Sequence, residues 1–151
     1  MTARTSIRRS ACIALLLATT SACASLDARE ERQSALIGPT WRLAGIAEGD
    51  AQTTLTAQQS QELTLTFNVK GEAHFRLACN TGNVRWTAQF MEGRIQITPI
   101  ATTRKLCPDP EIANRVGREL PGDRRYRFSP DEKTMFIQSD TVTFRFVDSA
   151  A

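Results

Sequence analysis

Few residues in this chain could do chemistry, and three of them stand out. Cys79 stands in RLACNTGN (76–83), five residues after His74, which is the single histidine of the chain. Cys107 follows in TTRKLCPDP. Three chemistries are open to such a set. A cysteine beside a base is a nucleophile, cysteines with histidine are zinc ligands, and two cysteines in an oxidising compartment form a disulfide. A thiol or serine relay would have to use His74. That residue alternates away from Phe75 and Leu77, as a surface position does. No G-x-S-x-G surrounds a serine. A closed zinc site needs about four ligands, and the set offers three with no C-x-x-C pair. Phosphate-cradling and dinucleotide glycine patterns are absent. No carboxylates stand out as a catalytic pair, and no residue set calls for a cofactor.

The disulfide reading depends on where the protein goes. MTARTSIRR is a basic leader, ACIALLLA (11–18) a short apolar run, and TTSAC (19–23) a stretch of small residues ending in Cys23. This is a secretory layout, too short in its apolar run for a permanent span. Ser21, Ala22 and Cys23 resemble a bacterial lipobox, with Thr20 where Leu is usual. Residues 1–22 are therefore expected to be a signal peptide and Cys23 a lipidated residue that anchors the protein to a membrane. By resemblance to enterobacterial sorting, Ala24 after the cysteine points to the outer membrane, on the periplasmic side. Cys12 leaves with the signal and Cys23 is acylated, so Cys79 and Cys107 remain to pair. In the chain-entropy model, closing that loop is worth about 3–4 kcal/mol.

Charge agrees with an exported body. The chain has 19 basic and 16 acidic residues. Arg4, Arg8 and Arg9 lie within the leader, so the mature body is formally neutral. A phosphate-binding surface wants a basic excess, so no nucleic-acid partner is expected. Hydrophobic residues make up 41% and charged residues 23%, ordinary for a soluble domain.

Residues 23–37 read as the lipidated cysteine and a flexible tether, with a short helix as the other reading of ASLDAREERQSAL (24–36). The domain is expected over 38–147, with 148–151 as a tail. Period-two alternation marks strands in TWRLAGI (40–46), ELTLTFNV (62–69), AHFRLAC (73–79), VRWTAQF (84–90) and RIQITPI (94–100). It returns in RYRFS (125–129), TMFIQ (134–138) and TVTFRF (141–146). EGDAQTTLTAQQSQ (48–61) lacks a period and reads as a loop. NTGN (80–83) is dense in turn formers. One helix is signalled after Asp109 as cap and Pro110 as first residue, with Ile112, Ala113, Val116 and Leu120 on one stripe. The expected fold class is α+β, a twisted antiparallel sheet or partial β-barrel of about seven strands with one packed helix.

These residues together resemble the META domain, the family of heat-shock protein HslJ-like envelope lipoproteins. The likeness lies in Trp41, in LTLTFNVKGEAHFRLACN (63–80) ending Cys79-Asn80, and in PIATTRKLCPDPE (99–111) with Thr102, Thr103 and Cys107. A helix, Tyr126 and two closing strands then follow. Ala78 and Thr81 depart from the glycine and aromatic that members usually carry there. The resemblance implies a paired Cys79 and Cys107, no defined reaction, and roles in envelope stress, drug tolerance, motility or secretion. The function expected is that of a non-enzymatic envelope lipoprotein, a stress or accessory module acting by contact with an envelope protein. The alternative is an inhibitor of an envelope-attacking lysozyme or protease, presenting the 48–61 loop.

Overall fold

A computed structural model describes residues 26–151. The expected signal peptide and Cys23 lie outside the described residues. The order of elements is helix α1 (26–36), β1 (Thr40–Glu48), β2 (Ala51–Thr54), α2 (Ala57–Glu62), β3 (Leu63–Phe67), β4 (Glu72–Leu77) and β5 (Asn80–Gln89). A 3-10 turn at Phe90–Glu92 leads to β6 (Arg94–Ile97) and β7 (Ala101–Thr102). Then come α3 (Glu111–Glu119), β8 (Gly122–Phe128), β9 (Thr134–Gln138) and β10 (Val142–Asp148).

Eight of these strands run in the order β10-β9-β8-β6-β5-β4-β3-β1, and β10 pairs back onto β1. The sheet is thus a closed antiparallel barrel rather than a partial one of seven strands. β2 and β7 are short additions, on β1 and β5 respectively. The mixture of helices with antiparallel strands remains, but closure is the organising feature. Closure removes the unpaired edges that an open sheet would leave.

The alternation that marks each strand explains the core. β3 buries Leu63, Leu65 and Phe67 and turns Thr64 and Thr66 outward. β4 does the same with Ala73, Phe75 and Leu77, and β10 with Val142, Phe144 and Phe146. An eight-stranded barrel is just wide enough for side chains to fill it. Here Trp41, Phe67, Phe75, Phe144 and Phe146 are each at most 2% exposed, so the interior is a packed core.

β1 carries the closure. Thr40–Arg42 pairs β3, Gly45–Glu48 pairs β2, and its other edge pairs β10 along nearly its whole length. The register to β10 shifts between Leu43 and Gly45. A bulge of this kind bends a strand at a barrel corner. A side chain at Gly45 would press to 3.1 Å from the Thr53 carbonyl oxygen, so the bulge and the β2 crossing share one small residue.

Three segments differ from the leading sequence reading. Residues 26–36 take the second of their two readings, a helix and not a tether, and the helix ends by burying Ala35 and Leu36. The Trp41 indole N–H donates to the Leu36 carbonyl at 3.2 Å, fixing that end. The 48–61 segment is not a loop but β2 and α2. Thr56 caps α2 by accepting from the Gln59 amide at 3.2 Å, and Gln59 Oε1 accepts from the Thr56 amide at 3.0 Å. This reciprocal pair is a capping box. α3 begins at Glu111 after Pro110, and no side chain, Asp109 included, caps it. Its buried residues are Ala113 and Val116, with Leu120 fully buried just beyond.

Candidate functional site

The turn between β4 and β5 lies two residues earlier than NTGN suggests. Leu77 pairs with Asn80, so Ala78 and Cys79 form a two-residue hairpin loop. Ala78 takes φ 55°, the left-handed region where glycine is at ease and alanine is strained. Asn80–Asn83 is the first part of β5. Gly82 serves close approach rather than turning: a Cβ there would lie 2.8 Å from the Ala101 carbonyl oxygen and 2.9 Å from Ile100 and Thr102 side-chain carbons. This glycine lets β7 settle on β5.

Residues 103–110 form no helix or ladder strand. All of them but Cys107 are exposed, so neither a ladder nor burial holds the segment, and specific side-chain bonds do. Cys79 and Cys107 are disulfide-bonded, with Cα atoms 5.6 Å apart. Asn80 does the rest. Its Oδ1 accepts from the Lys105 amide at 2.7 Å and from the Thr103 hydroxyl at 2.9 Å. Its Nδ2 donates to the Lys105 carbonyl at 3.0 Å and toward the Cys107 sulfur at 3.2 Å. Because a backbone N–H can only donate, the Lys105 amide fixes which end of the Asn80 amide is oxygen. Thr103 completes the set. Its hydroxyl accepts from the Thr81 amide at 3.1 Å, and its own amide donates to the Thr81 carbonyl at 2.9 Å. One asparagine side chain thus stands in for a stretch of β ladder.

Of the residues singled out by sequence, Cys79, Asn80, Thr103 and Cys107 converge on this corner. Thr102 lies beside it, pairing with Gly82 in β7. Trp41 and Tyr126 are elsewhere, in the barrel interior. They are linked through Phe128, whose ring centroid is 5.7 Å from that of Trp41 and 5.8 Å from that of Tyr126. The Tyr126 hydroxyl is buried and finds no hydrogen-bond partner among the described residues. Burial raises its pKa above the ordinary tyrosine value, and the charge of Arg32 opposes the shift.

His74 is exposed and pairs with Asn83 across β4 and β5. Its Nδ1 lies 2.7 Å from Asn83 Oδ1. The two line a cleft of about 630 Å³ on the outer face of the barrel, together with Glu72, Arg85, Thr98 and Pro99. A second cleft, of about 410 Å³, opens over the disulfide between α2 and Pro108-Asp109. Among the described residues, no three His, Cys, Asp or Glu side chains are grouped to hold a metal ion. The surface ion pairs gather on Arg115, held by Glu119 at 3.1 Å and Glu48 at 2.5 Å. These two carboxylates, Glu119 foremost, raise the guanidinium pKa and tie α3 to the end of β1.

The fold has solved counterparts of low identity. A protein from Burkholderia xenovorans solved by NMR is 17% identical, with a TM-score of 0.63, over 82% of this chain and 89% of that one. A duf4847 family protein from Bacteroides vulgatus is 11% identical, with a TM-score of 0.55, over 74% and 93%. A lipocalin-like protein from Bacteroides uniformis is 13% identical, with a TM-score of 0.50, over 76% and 98%. No curated protein sequence matches the chain. Residues 34–151 match the META domain, beginning inside α1 and running through the last strand and beyond, and the chain belongs to the META domain family.

Proposed function

We propose that the protein is a non-enzymatic envelope lipoprotein, held to a membrane through Cys23 on the periplasmic side and acting as a stress or accessory module by protein contact. One observation carries the reading. The residues with the most chemical potential are occupied in holding the fold: the two cysteines in a bond with each other, the Asn80 amide in the 103–107 segment. What the barrel leaves free is its polar outer face. The cleft around His74 is the contact surface we assign, since Glu72, His74, Asn83 and Arg85 converge there with donors, acceptors and both signs of charge. Neighbouring charges of both signs favour a partner of matching pattern more than they add raw affinity.

The test is crosslinking in intact cells from a photoreactive residue placed at Thr98, followed by recovery of the lipidated protein. A discrete partner is expected, lost in Arg85→Glu and retained in Arg94→Glu. Cys23→Ser should release the protein from the membrane fraction. Recovery of no discrete partner, or equal recovery with Arg85→Glu, overturns the contact reading.

A further inference from the structure

The two halves of the disulfide are chemically unequal. Cys79 is exposed at the hairpin tip, whereas Cys107 is 8% exposed. The Cys107 sulfur faces two N–H donors: the Cys79 amide at 3.3 Å and Asn80 Nδ2 at 3.2 Å. The Cys79 sulfur has only a longer approach from the same Nδ2, at 3.9 Å. The Lys105 carbonyl lies 4.0 Å from the Cys79 sulfur and 3.7 Å from the Cys107 sulfur, and is itself engaged by Asn80 Nδ2. Donors directed at a sulfur favour its thiolate, and a sulfur with a more stable thiolate leaves faster in thiol–disulfide exchange. The 410 Å³ cleft, lined by both cysteines with Glu62, Arg76 and Asp109, gives an incoming thiol its approach. Its charges are mixed, so the N–H pair and not the local field sets the polarity of the bond.

We propose that Cys79–Cys107 is a site of directed thiol–disulfide exchange, reduced by a dithiol that attacks Cys79 and expels Cys107. The thiolate of the dithiol forms a new S–S bond to the Cys79 sulfur. The Cys79–Cys107 bond breaks, and its electron pair goes to Cys107 as a thiolate held by the Cys79 amide and Asn80. The second thiol of the reductant, once deprotonated, closes its own disulfide and releases Cys79, which takes up a proton. The protein gains two electrons and one proton, Cys107 staying a thiolate, while the dithiol loses two electrons and two protons, the second proton going to solvent. The protein is the substrate here, so this reaction is compatible with a contact module and independent of it. Reduction would free residues 103–110 from the covalent half of their anchorage and leave the hydrogen bonds of Asn80 and Thr103 as the remainder.

The experiment treats the full oxidised protein, in native buffer, with excess glutathione, quenches with acid, and maps the mixed disulfide by mass spectrometry. The adduct is expected on Cys79 in about tenfold or greater excess over Cys107. Equal labelling, or an adduct mainly on Cys107, overturns the proposal. Reduction by dithiothreitol should proceed without dependence on low urea concentrations. A rate that follows global unfolding overturns it too. Asn80→Asp keeps the acceptor for the Lys105 amide and the Thr103 hydroxyl but loses the donor to Cys107 and to the Lys105 carbonyl. Its second-order rate constant with dithiothreitol should fall about tenfold, and an unchanged rate overturns the role given to Asn80.

Discussion

The barrel seam and the stapled corner hold the molecule by opposite means. At the seam, β1 and β10 pair over most of their length, and each inward position adds an apolar side chain: Trp41, Leu43 and Ile46 from one strand, Val142, Phe144 and Phe146 from the other. Cohesion there is spread over many small contributions of burial and backbone pairing. At the corner, residues 103–107 are held by one covalent bond, one asparagine side chain and one threonine hydroxyl. No single atom carries the seam, and removing buried volume is the direct way to weaken it. The corner can be undone by removing single atoms, which suits it to a reversible change.

The largest effect is expected at the seam. Trp41→Ala should cost about 3–5 kcal/mol, through lost burial and the cavity left behind. Urea denaturation measures it, and faster amide exchange in α1 should accompany it, because the indole N–H to Leu36 is lost. A cost below that of the corner substitutions would erase the contrast between the two regions.

Cys79→Ala with Cys107→Ala is expected next, at about 3–4 kcal/mol or less in the chain-entropy model. The sequence separation of 28 sets that figure. The barrel should still form, read as unchanged near-ultraviolet dichroism of Trp41 and Trp86. Two titratable thiols in the denatured, unreduced wild-type protein would refute the bond itself.

Asn80→Ala should cost about 1–2 kcal/mol, the worth of a hydrogen-bonded polar group whose partners are left unpaired. Hydrogen exchange should quicken at Lys105, with little change at seam amides. Uniform acceleration across the barrel would mean that the corner is not a separate unit.

Ala78→Gly works in the other direction. It should stabilise the protein by about 0.5–1 kcal/mol, since a left-handed alanine is relieved and the extra freedom of glycine in the unfolded chain offsets part of the gain.

Tyr126→Phe is the smallest change, within about 1 kcal/mol at neutral pH, because the buried hydroxyl forfeits no partner. Its signature is in alkali. Burial raises the pKa of Tyr126 in the folded state, so above the ordinary tyrosine value of about 10 the unfolded chain sheds its proton first. Stability is whole below that value and falls as pH rises toward the folded pKa. The phenylalanine variant should show a shallower alkaline loss in urea midpoints.

How much of this was legible in the residues differs element by element. Alternation marked β3, β4, β6, β9 and β10, because one face of each is buried and the other is wet. The same periodicity could not reveal that β10 returns to β1, a pairing between positions about a hundred residues apart that no local pattern records. The capping box Thr56-Ala-Gln-Gln59 was in plain view in the 48–61 segment and marks α2. α1 was open as the second reading of 24–36, because Ala, Arg and Glu favour a helix but its surface is mostly polar, and its place depends on Leu36 meeting the barrel. NTGN misled because asparagine and glycine serve turns and close approach alike. Asn80 is needed for its amide and Gly82 for its missing Cβ, and both needs come from residues 100–107 lying alongside.

The sequence by itself determined the META domain, the alternating strands, the α3 stripe, and the candidacy of Cys79 and Cys107 for pairing. Those follow from side-chain period, from composition and from the chemistry open to each residue type. Tertiary structure alone decided that the sheet closes with eight strands and that the hairpin turns at Ala78-Cys79. It alone also made Asn80 the partner of residues 103–107 and left the two sulfurs in unequal surroundings. The reason is physical. Period and propensity act over a few neighbours, whereas closure, close approach and the hydrogen bonds of an irregular segment depend on which distant residues the fold sets beside them.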